Sequence, residues 1–137
     1  MSGERLLHVA ITDDWEACAR FGEYDVSTRG KTIDDAGFIH AATGPQLRTV
    51  LDEVFGGLKL PLLVVVVDED ALAAAGIEVR WDASYRPGEE FAAVPRILGP
   101  IPMEEPIIVA TFPLELQGDR WPALDLNGLG IRTILPT

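Results

Sequence analysis

The sequence is short of the residues on which many small catalytic and metal-binding sites depend. Its 137 residues include one cysteine, Cys18, and two histidines, His8 and His40. A single cysteine forms no intrachain disulfide and fits a reducing compartment, so we expect a cytoplasmic protein. Two histidines so far apart in sequence are weak evidence for a metal centre, and we predict no metal site.

Long apolar runs are also missing. The longest, Leu60 to Val67, is interrupted by Pro61, and it is far shorter than the roughly 20 residues that cross a bilayer. The first five residues carry no basic region followed by an apolar core, so we expect no signal peptide. No membrane association is predicted from these features.

Basic residues are few, with 11 lysines and arginines against 22 aspartates and glutamates, which gives a net charge of -11. Such a surface repels phosphate backbones and anionic lipid headgroups, so neither nucleic acid nor a membrane is a predicted partner. A small basic pocket inside the acidic protein stays compatible with this charge, because local charge governs a buried site. Serine-nucleophile, P-loop and G-x-G-x-x-G motifs do not occur.

Strand and helix patterns alternate along most of the chain, which predicts an α+β fold with a mixed β-sheet core and two main helices. We expect one domain over residues 1–113, followed by an extension over 114–137. The extension packs on the domain or at an oligomer contact, and its apolar residues suggest a homodimer. The predicted strands cover 5–11, 38–42, 60–67, 77–81 and 106–112. The predicted helices cover 14–20 and about 45–55, and a capping box of Asp13 and Glu16 is expected to begin the first of them. Residues 24–36 are predicted to be an irregular loop.

The two histidines are the first candidate for a site. His8 and His40 each lie within an apolar strand pattern, and each is followed two residues later by alanine, Ala10 or Ala42. If the strands are neighbours, both imidazoles can line one concave, partly polar spot, where they bind a substrate hydroxyl or act in catalysis. The more frequent alternative is a core histidine bonded to a backbone carbonyl.

Other candidates surround this pair in the predicted fold. Thr43 lies where the second helix is expected to begin, and the exposed amides of a helix start favour an anion; an ordinary helix cap is the alternative. Trp15 on the first helix is a candidate for a pocket wall near His8, or for plain core packing. Cys18 is better explained as buried filler than as a nucleophile.

A third set of charged residues lies in and beyond the loop after the fourth strand. Arg96 can pair with a phosphate or carboxylate of a ligand. Glu89 and Glu90 are candidates for a catalytic or ligand-binding carboxylate. In a chain with 22 acids, a solvated loop is the alternative for either glutamate.

Four segments carry a resemblance to a known family: Leu6 to Val9 with Asp14-Trp15, Gly37 to His40, Val79 to Asp82, and Pro95 to Pro100. Together they resemble the domain-of-unknown-function 952 family of small bacterial proteins, over about residues 5–113. The chain departs from the usual family pattern, which has cysteine and serine at positions 41 and 42. It also has Arg96 and Leu98 where the family usually has histidine and tyrosine.

The resemblance implies a fold similar to that of the ADP-ribosyltransferases, and NAD as a ligand or substrate. By position, His8 is similar to the histidine that bonds the NAD ribose, and Phe38 and His40 are similar to the strand that lines the nicotinamide. The ADP-ribosyltransferases also have a functional glutamate late in the chain. It has no clean counterpart in this sequence, and Glu89 and Glu90 are the nearby substitutes. We therefore expect a cleft for NAD or an ADP-ribose-like nucleotide, or alternatively a non-catalytic small-molecule-binding or interaction module.

Overall fold

The fold is described from a computed structural model, which describes residues 4–28, 31–83 and 93–132. Helices and strands both contribute to it, so the predicted α+β class is confirmed. The elements in chain order are β1 (Arg5–Ile11), α1 (Thr12–Ala19), β2 (Glu23–Tyr24), β3 (Val26–Thr28), β4 (Lys31–Thr32), α2 (Ile33–Ala36), β5 (Ile39–His40), α3 (Leu47–Thr49), a π-helical turn (Val50–Val54), β6 (Leu62–Asp68), α4 (Glu69–Ala74), β7 (Val79–Ala83), β8 (Ala93–Ile97), β9 (Ile101–Pro102) and β10 (Ile108–Leu114).

Strand β6 lies in the middle of a three-stranded sheet, between β1 and β10. Its four consecutive valines, 64–67, are all buried, as expected for a β-branched run covered on both faces. Strand β1 is an edge of this sheet rather than the central strand that its apolar faces suggest. Its free side is covered where Leu7 exchanges two backbone hydrogen bonds with Ala42, at 2.8 and 2.9 Å.

A second three-stranded sheet has β8 between β5 and β7. Arg96 of the central strand β8 lies opposite His40 of β5 on one side and opposite Arg80 of β7 on the other. The bridge between Leu7 and Ala42 joins this sheet to β1. It therefore makes the two histidine-bearing strands neighbours, which is the condition on which the predicted site depended.

All strand ladders among the described residues are antiparallel, which corrects the prediction of a mixed sheet. An apolar run does not by itself reveal the direction of a strand. Long apolar strands are typical of parallel sheets, so they suggested some parallel pairing. A parallel contact does occur as an isolated bridge between Arg5 and Ile131.

Two hydrophobic clusters lie on opposite faces of the β1–β6–β10 sheet, as the two-residue period of strands requires. Leu7 and Val9 belong to one cluster, which holds the second helical segment, and Ala10 belongs to the other, which holds Tyr24 and Ile97. Burying one such aliphatic side chain contributes about 1.5–3 kcal/mol, so β1 and β6 anchor both sides of the fold.

The segment 24–36, predicted to be an irregular loop, contains the short strands β3 and β4 and the helix α2; Arg29 and Gly30 lie outside the described residues. Strands of two or three residues are too short to show a measurable periodicity. The sequence therefore carried no signal for them, and the loop prediction was wrong. Strand β3 is nonetheless well buried at Ser27.

The helix starts also differ from the predictions. Helix α1 begins at Thr12 with Ile11 at its N-cap and no side-chain capping bond, so the predicted capping box is wrong. The second helix begins at Leu47 and turns π-helical at Val50 rather than running as one α-helix. Helix α4 follows an N-cap at Asp68, whose carboxylate accepts a hydrogen bond from the amide of Ala71 at 2.9 Å.

The chain after β10 packs on the first cluster. Trp121 is buried there and donates its indole N–H to the carbonyl oxygen of Phe55 at 2.9 Å. Leu124, Leu126 and Leu129 are partly buried against the same cluster. These apolar side chains, on which the homodimer suggestion rested, thus have cover within the chain, and dimer formation stays a prediction. None of the helices in the described ranges has both the length and the apolar composition of a membrane span.

Candidate functional site

A cavity of about 340 Å³ opens between the first and second sheets and the second helical segment. Its volume lies in the range of small-molecule pockets, and its wall is mainly apolar, as is usual for them. Polar groups reach it from β1, β3, β5 and β8. The lining residues are Leu7, His8, Val9, Ser27, Thr28, His40, Ala41, Ala42, Gln46, Val50, Val54, Phe55, Val94 and Arg96.

His8 and His40 meet at this cavity. His8 is buried, with 2% of its surface exposed, and its Nδ1 lies within hydrogen-bond distance of the backbone carbonyl oxygen of His40. Because a carbonyl only accepts, Nδ1 carries the proton and donates it. The other ring nitrogen, Nε2, then accepts from the hydroxyl of Tyr24 at 3.1 Å. His8 is thus bonded to a backbone carbonyl, as its structural alternative predicted, and it also lines the cavity.

Burial lowers the pKa of His8 to about 4, although the bond to the His40 carbonyl opposes the shift. The ring is therefore neutral near pH 7. With both nitrogens engaged by the protein, His8 has no free basic atom to take a proton from a ligand. Its position suits fixing the geometry of the cavity better than acting as a general base.

Tyr24 joins His8 to the first helix. Its ring contacts the imidazole of His8 at 5.1 Å and the indole of Trp15 at 4.9 Å between centroids. Burial also raises the pKa of the Tyr24 hydroxyl, which keeps it protonated as the donor to His8. Trp15 is thus one residue removed from the cavity and supports Tyr24, so it does not form the pocket wall that the sequence suggested.

A cationic cluster borders the cavity at β8. The guanidinium of Arg96 lies 4.4 Å from the centroid of the Phe38 ring, and that ring contacts His40 at 4.7 Å. Arg96 Nη1 also donates a hydrogen bond to Asp82 Oδ2 at 3.2 Å. The same oxygen accepts a second hydrogen bond from Arg80 Nε at 2.7 Å. Phe38 touches two lining residues without lining the cavity itself. Its contact with His40 fits the predicted shared strand face.

The other predicted site residues are not brought to the cavity wall. Thr43 is buried four residues before α3 begins, and its amide donates to Gln46 Oε1 at 3.0 Å, so this donor already has a partner within the chain. Cys18 lies in a separate surface groove, and burial raises the pKa of its thiol, which disfavours a nucleophile. Glu89 and Glu90 lie outside the described residues.

Several lining residues carried no recognisable signal in the sequence. Ser27 and Thr28 sit in the polar segment that was predicted to be a loop. Gln46 bridges the helix start to β8, since its Nε2 donates to the Ala93 carbonyl at 2.7 Å. Val50 and Val54 line the cavity from a π-helical turn, a feature that often occurs at functional sites and that periodicity does not reveal.

The described residues include no group of three or more histidine, cysteine, aspartate or glutamate side chains placed to hold a metal ion. The candidate site is therefore an enclosed, largely apolar cavity with a neutral imidazole, a second histidine and one arginine on its wall. These features define a small α+β protein with a ligand-sized cavity.

The family comparison agrees with the resemblance seen in the sequence. The model of the family described as "Protein of unknown function (DUF952)" matches residues 9–109, so the chain belongs to this family. Among curated proteins, none has a sequence that matches this chain.

Two solved structures have a similar fold. They are the X-ray crystal structures of protein CC0527 from Caulobacter crescentus and of a double mutant of that protein. Each is 20% identical in sequence to this chain and superposes on it with a TM-score of 0.67. The match covers 87% of this chain and 93% of the solved one. At this identity the likeness establishes the fold alone.

Proposed function

We propose that this protein binds a small organic molecule in the cavity between β1, β5, β8 and the π-helical turn. One observation carries the proposal: His8, His40 and Arg96 converge on a mainly apolar cavity of about 340 Å³. A largely apolar wall with a few convergent polar groups is the usual composition of a ligand pocket. The apolar wall provides binding energy, and the polar groups orient the ligand.

The ligand to test first is a nucleotide such as NAD or ADP-ribose, because the family resemblance in the sequence implies a fold similar to that of the ADP-ribosyltransferases. Two positions support this choice. His8 lies on the first strand and reaches the cavity, where a ribose-binding histidine would be expected. Phe38 directly precedes β5, the strand of His40, and places an aromatic ring beside the lining residues. Fold analogy alone does not define an activity, so ADP-ribosyl transfer is the second candidate.

Binding without turnover is favoured over transfer by the state of His8. Both of its ring nitrogens are engaged by the protein, and no aspartate or glutamate lines the cavity among the described residues. General acid–base chemistry needs a titratable group within reach of the ligand. Of the described wall residues, His40 remains as a candidate for such chemistry, and the other polar groups supply hydrogen bonds and one cation, which suits recognition.

Thermal melting with millimolar NAD and ADP-ribose tests the proposal. A ligand at 100 times its dissociation constant stabilises the folded state by about 2.7 kcal/mol, which raises the melting temperature by several degrees for a domain of this size. Val50→Phe fills the cavity and should abolish the shift. Val109→Phe, at a partly buried valine outside the cavity wall, is the matched control and should keep it.

A shift that survives Val50→Phe would place the ligand elsewhere and would overturn the assignment of the site. If neither nucleotide binds, a fragment screen observed through the methyl NMR signals of Val50 and Val54 decides the broader proposal. The absence of any fragment that perturbs those signals would contradict small-molecule binding at this cavity. Turnover of NAD by the purified protein would establish the second candidate.

A further inference from the structure

Two hydrogen-bond donors on the cavity wall have no partner among the described residues. Ser27 is fully buried, and its Oγ makes no hydrogen bond with that part of the chain. The Nε of Arg96 is likewise buried and unpartnered. Both residues line the cavity. A buried donor without a partner is destabilising, and such groups are rare enough in native proteins to need an explanation.

Among the residues that the structure describes, the charge beside the cavity is not balanced. The Asp82 carboxylate lies between two guanidinium groups, with Arg80 Nε at 2.7 Å and Arg96 Nη1 at 3.2 Å. Two cations and one anion leave the cluster with one positive charge. Arg96 is the member that lines the cavity, where 26% of its side chain is exposed, and the described wall contains no acid to neutralise it.

Arg96 is also held in a fixed orientation. Its guanidinium lies over the ring of Phe38 at 4.4 Å, while Nη1 is engaged by Asp82. These two contacts restrain the planar group and leave Nε available as a donor. An arginine restrained in this way loses little conformational entropy when it binds an anion.

We propose that the cavity binds a monocarboxylate with an apolar body. The ligand carboxylate accepts a hydrogen bond from Arg96 Nε, and the Ser27 hydroxyl donates a second bond to the ligand. The apolar body packs against Val50, Val54 and Phe55. One carboxylate neutralises the single surplus charge, whereas a pyrophosphate carries more negative charge than this cluster balances. The inference rests on the proposed binding function and names the ligand class for the same cavity.

Calorimetric titration with hexanoate and with hexanamide, its neutral counterpart, tests this proposal. A charge-assisted hydrogen bond predicts that the wild-type protein binds hexanoate about tenfold more tightly than hexanamide. Arg96→Gln should weaken hexanoate binding by about tenfold and leave hexanamide unaffected. Arg96→Lys, which keeps the charge, should recover part of the loss, and Ser27→Ala should weaken hexanoate about fivefold.

Arg80→Gln is the matched control, because it removes a cation from the same cluster at a residue that does not line the cavity. Because it lowers the net charge of the cluster but keeps the Arg96 contact, it should weaken hexanoate binding by less than Arg96→Gln does. Equal weakening by Arg80→Gln and Arg96→Gln would show a long-range field rather than a contact and would overturn the proposed subsite. If Arg96→Gln does not fold, the preference of the wild-type protein for hexanoate over hexanamide decides alone.

The two proposals fail in different ways. Equal affinity for hexanoate and hexanamide, with the methyl signals of Val50 and Val54 perturbed by both, would overturn the carboxylate subsite while supporting small-molecule binding. No perturbation by either probe would overturn the carboxylate proposal, and the fragment screen on the same signals would then decide the binding function separately.

Discussion

His8 donates its Nδ1 proton to the backbone carbonyl oxygen of His40, so the side chain of one histidine is bonded to the main chain of the other. The bond lies next to the Leu7–Ala42 bridge that joins the two sheets. His8 therefore helps to hold β5, and with it His40, against β1. We expect changes at His8 to alter stability and the cavity together.

The low pKa of His8 predicts a specific loss of stability in acid. The folded-state pKa is about 4, against 6.5 for an ordinary histidine, so between these pH values the unfolded chain binds a proton that the folded protein does not. The contribution is fully present above pH 6.5 and falls as the pH decreases toward 4, by about 3 kcal/mol.

The measurement for this prediction is the free energy of unfolding by urea from pH 7 to pH 4. His8→Gln should remove this part of the pH dependence, while the titration of the acidic residues continues in both proteins. His40→Gln is the matched control and should keep most of the wild-type slope. An unchanged slope in His8→Gln would contradict a buried neutral His8.

Two buried hydroxyls allow a direct comparison of a partnered and an unpartnered group. Tyr24→Phe removes the O–H that donates to His8 Nε2 and leaves a buried acceptor unpaired, so we expect a loss of about 1–3 kcal/mol. Ser27→Ala removes a buried hydroxyl without a partner in the described chain and should not lower stability. Urea unfolding at pH 7 measures both. A loss for Ser27→Ala as large as that for Tyr24→Phe would mean that the serine has a structural bond.

The apolar run around each histidine predicted a strand, whereas the pairing of these two strands was only a condition of the predicted site. Strand β6 and the start of α4 were predictable for similar reasons, since a run of valines and an aspartate N-cap are strong local signals. The bridge that joins Leu7 to Ala42 is a long-range contact, and no local pattern specifies it.

The rest of the cavity wall escaped prediction for physical reasons. Ser27 belongs to a three-residue strand whose burial comes from packing rather than from its own composition. Val50 and Val54 are four residues apart, so their spacing predicted a helix but did not reveal that this turn is π-helical and borders a cavity. Arg96 was recognised as a candidate by its charge, but its contact with Phe38 depends on the register of β5 against β8.

The contact of the Arg96 guanidinium with the Phe38 ring predicts that these two residues are coupled in their contribution to stability. Phe38→Leu keeps an apolar residue but removes the ring, and we expect a loss of stability of about 0.5–2 kcal/mol. Arg96→Gln in the Phe38→Leu background should then cost less than in the wild type. A double-mutant cycle by urea unfolding measures this coupling. Additive effects of the two changes would show that the contact contributes no stability.

The contact of Trp121 with Phe55 predicts that the chain after β10 stabilises the cavity wall as well as the core. Trp121 is 2% exposed, its indole N–H is bonded to the Phe55 carbonyl, and Phe55 lines the cavity. Trp121→Ala should cost about 3–5 kcal/mol, and Trp121→Phe should cost less because it keeps most of the apolar volume. Both are measured by urea unfolding.

The same variants separate packing from an effect on the site. Because Phe55 follows the π-helical turn directly, Trp121→Ala should also shift the methyl NMR signals of Val50 and Val54, which lie on that turn. Leu126→Ala, at a partly buried leucine of the same segment, is the control and should cost less stability and leave those signals nearly unchanged. If Trp121→Ala lowered stability without moving the Val50 and Val54 signals, the segment would serve the core alone.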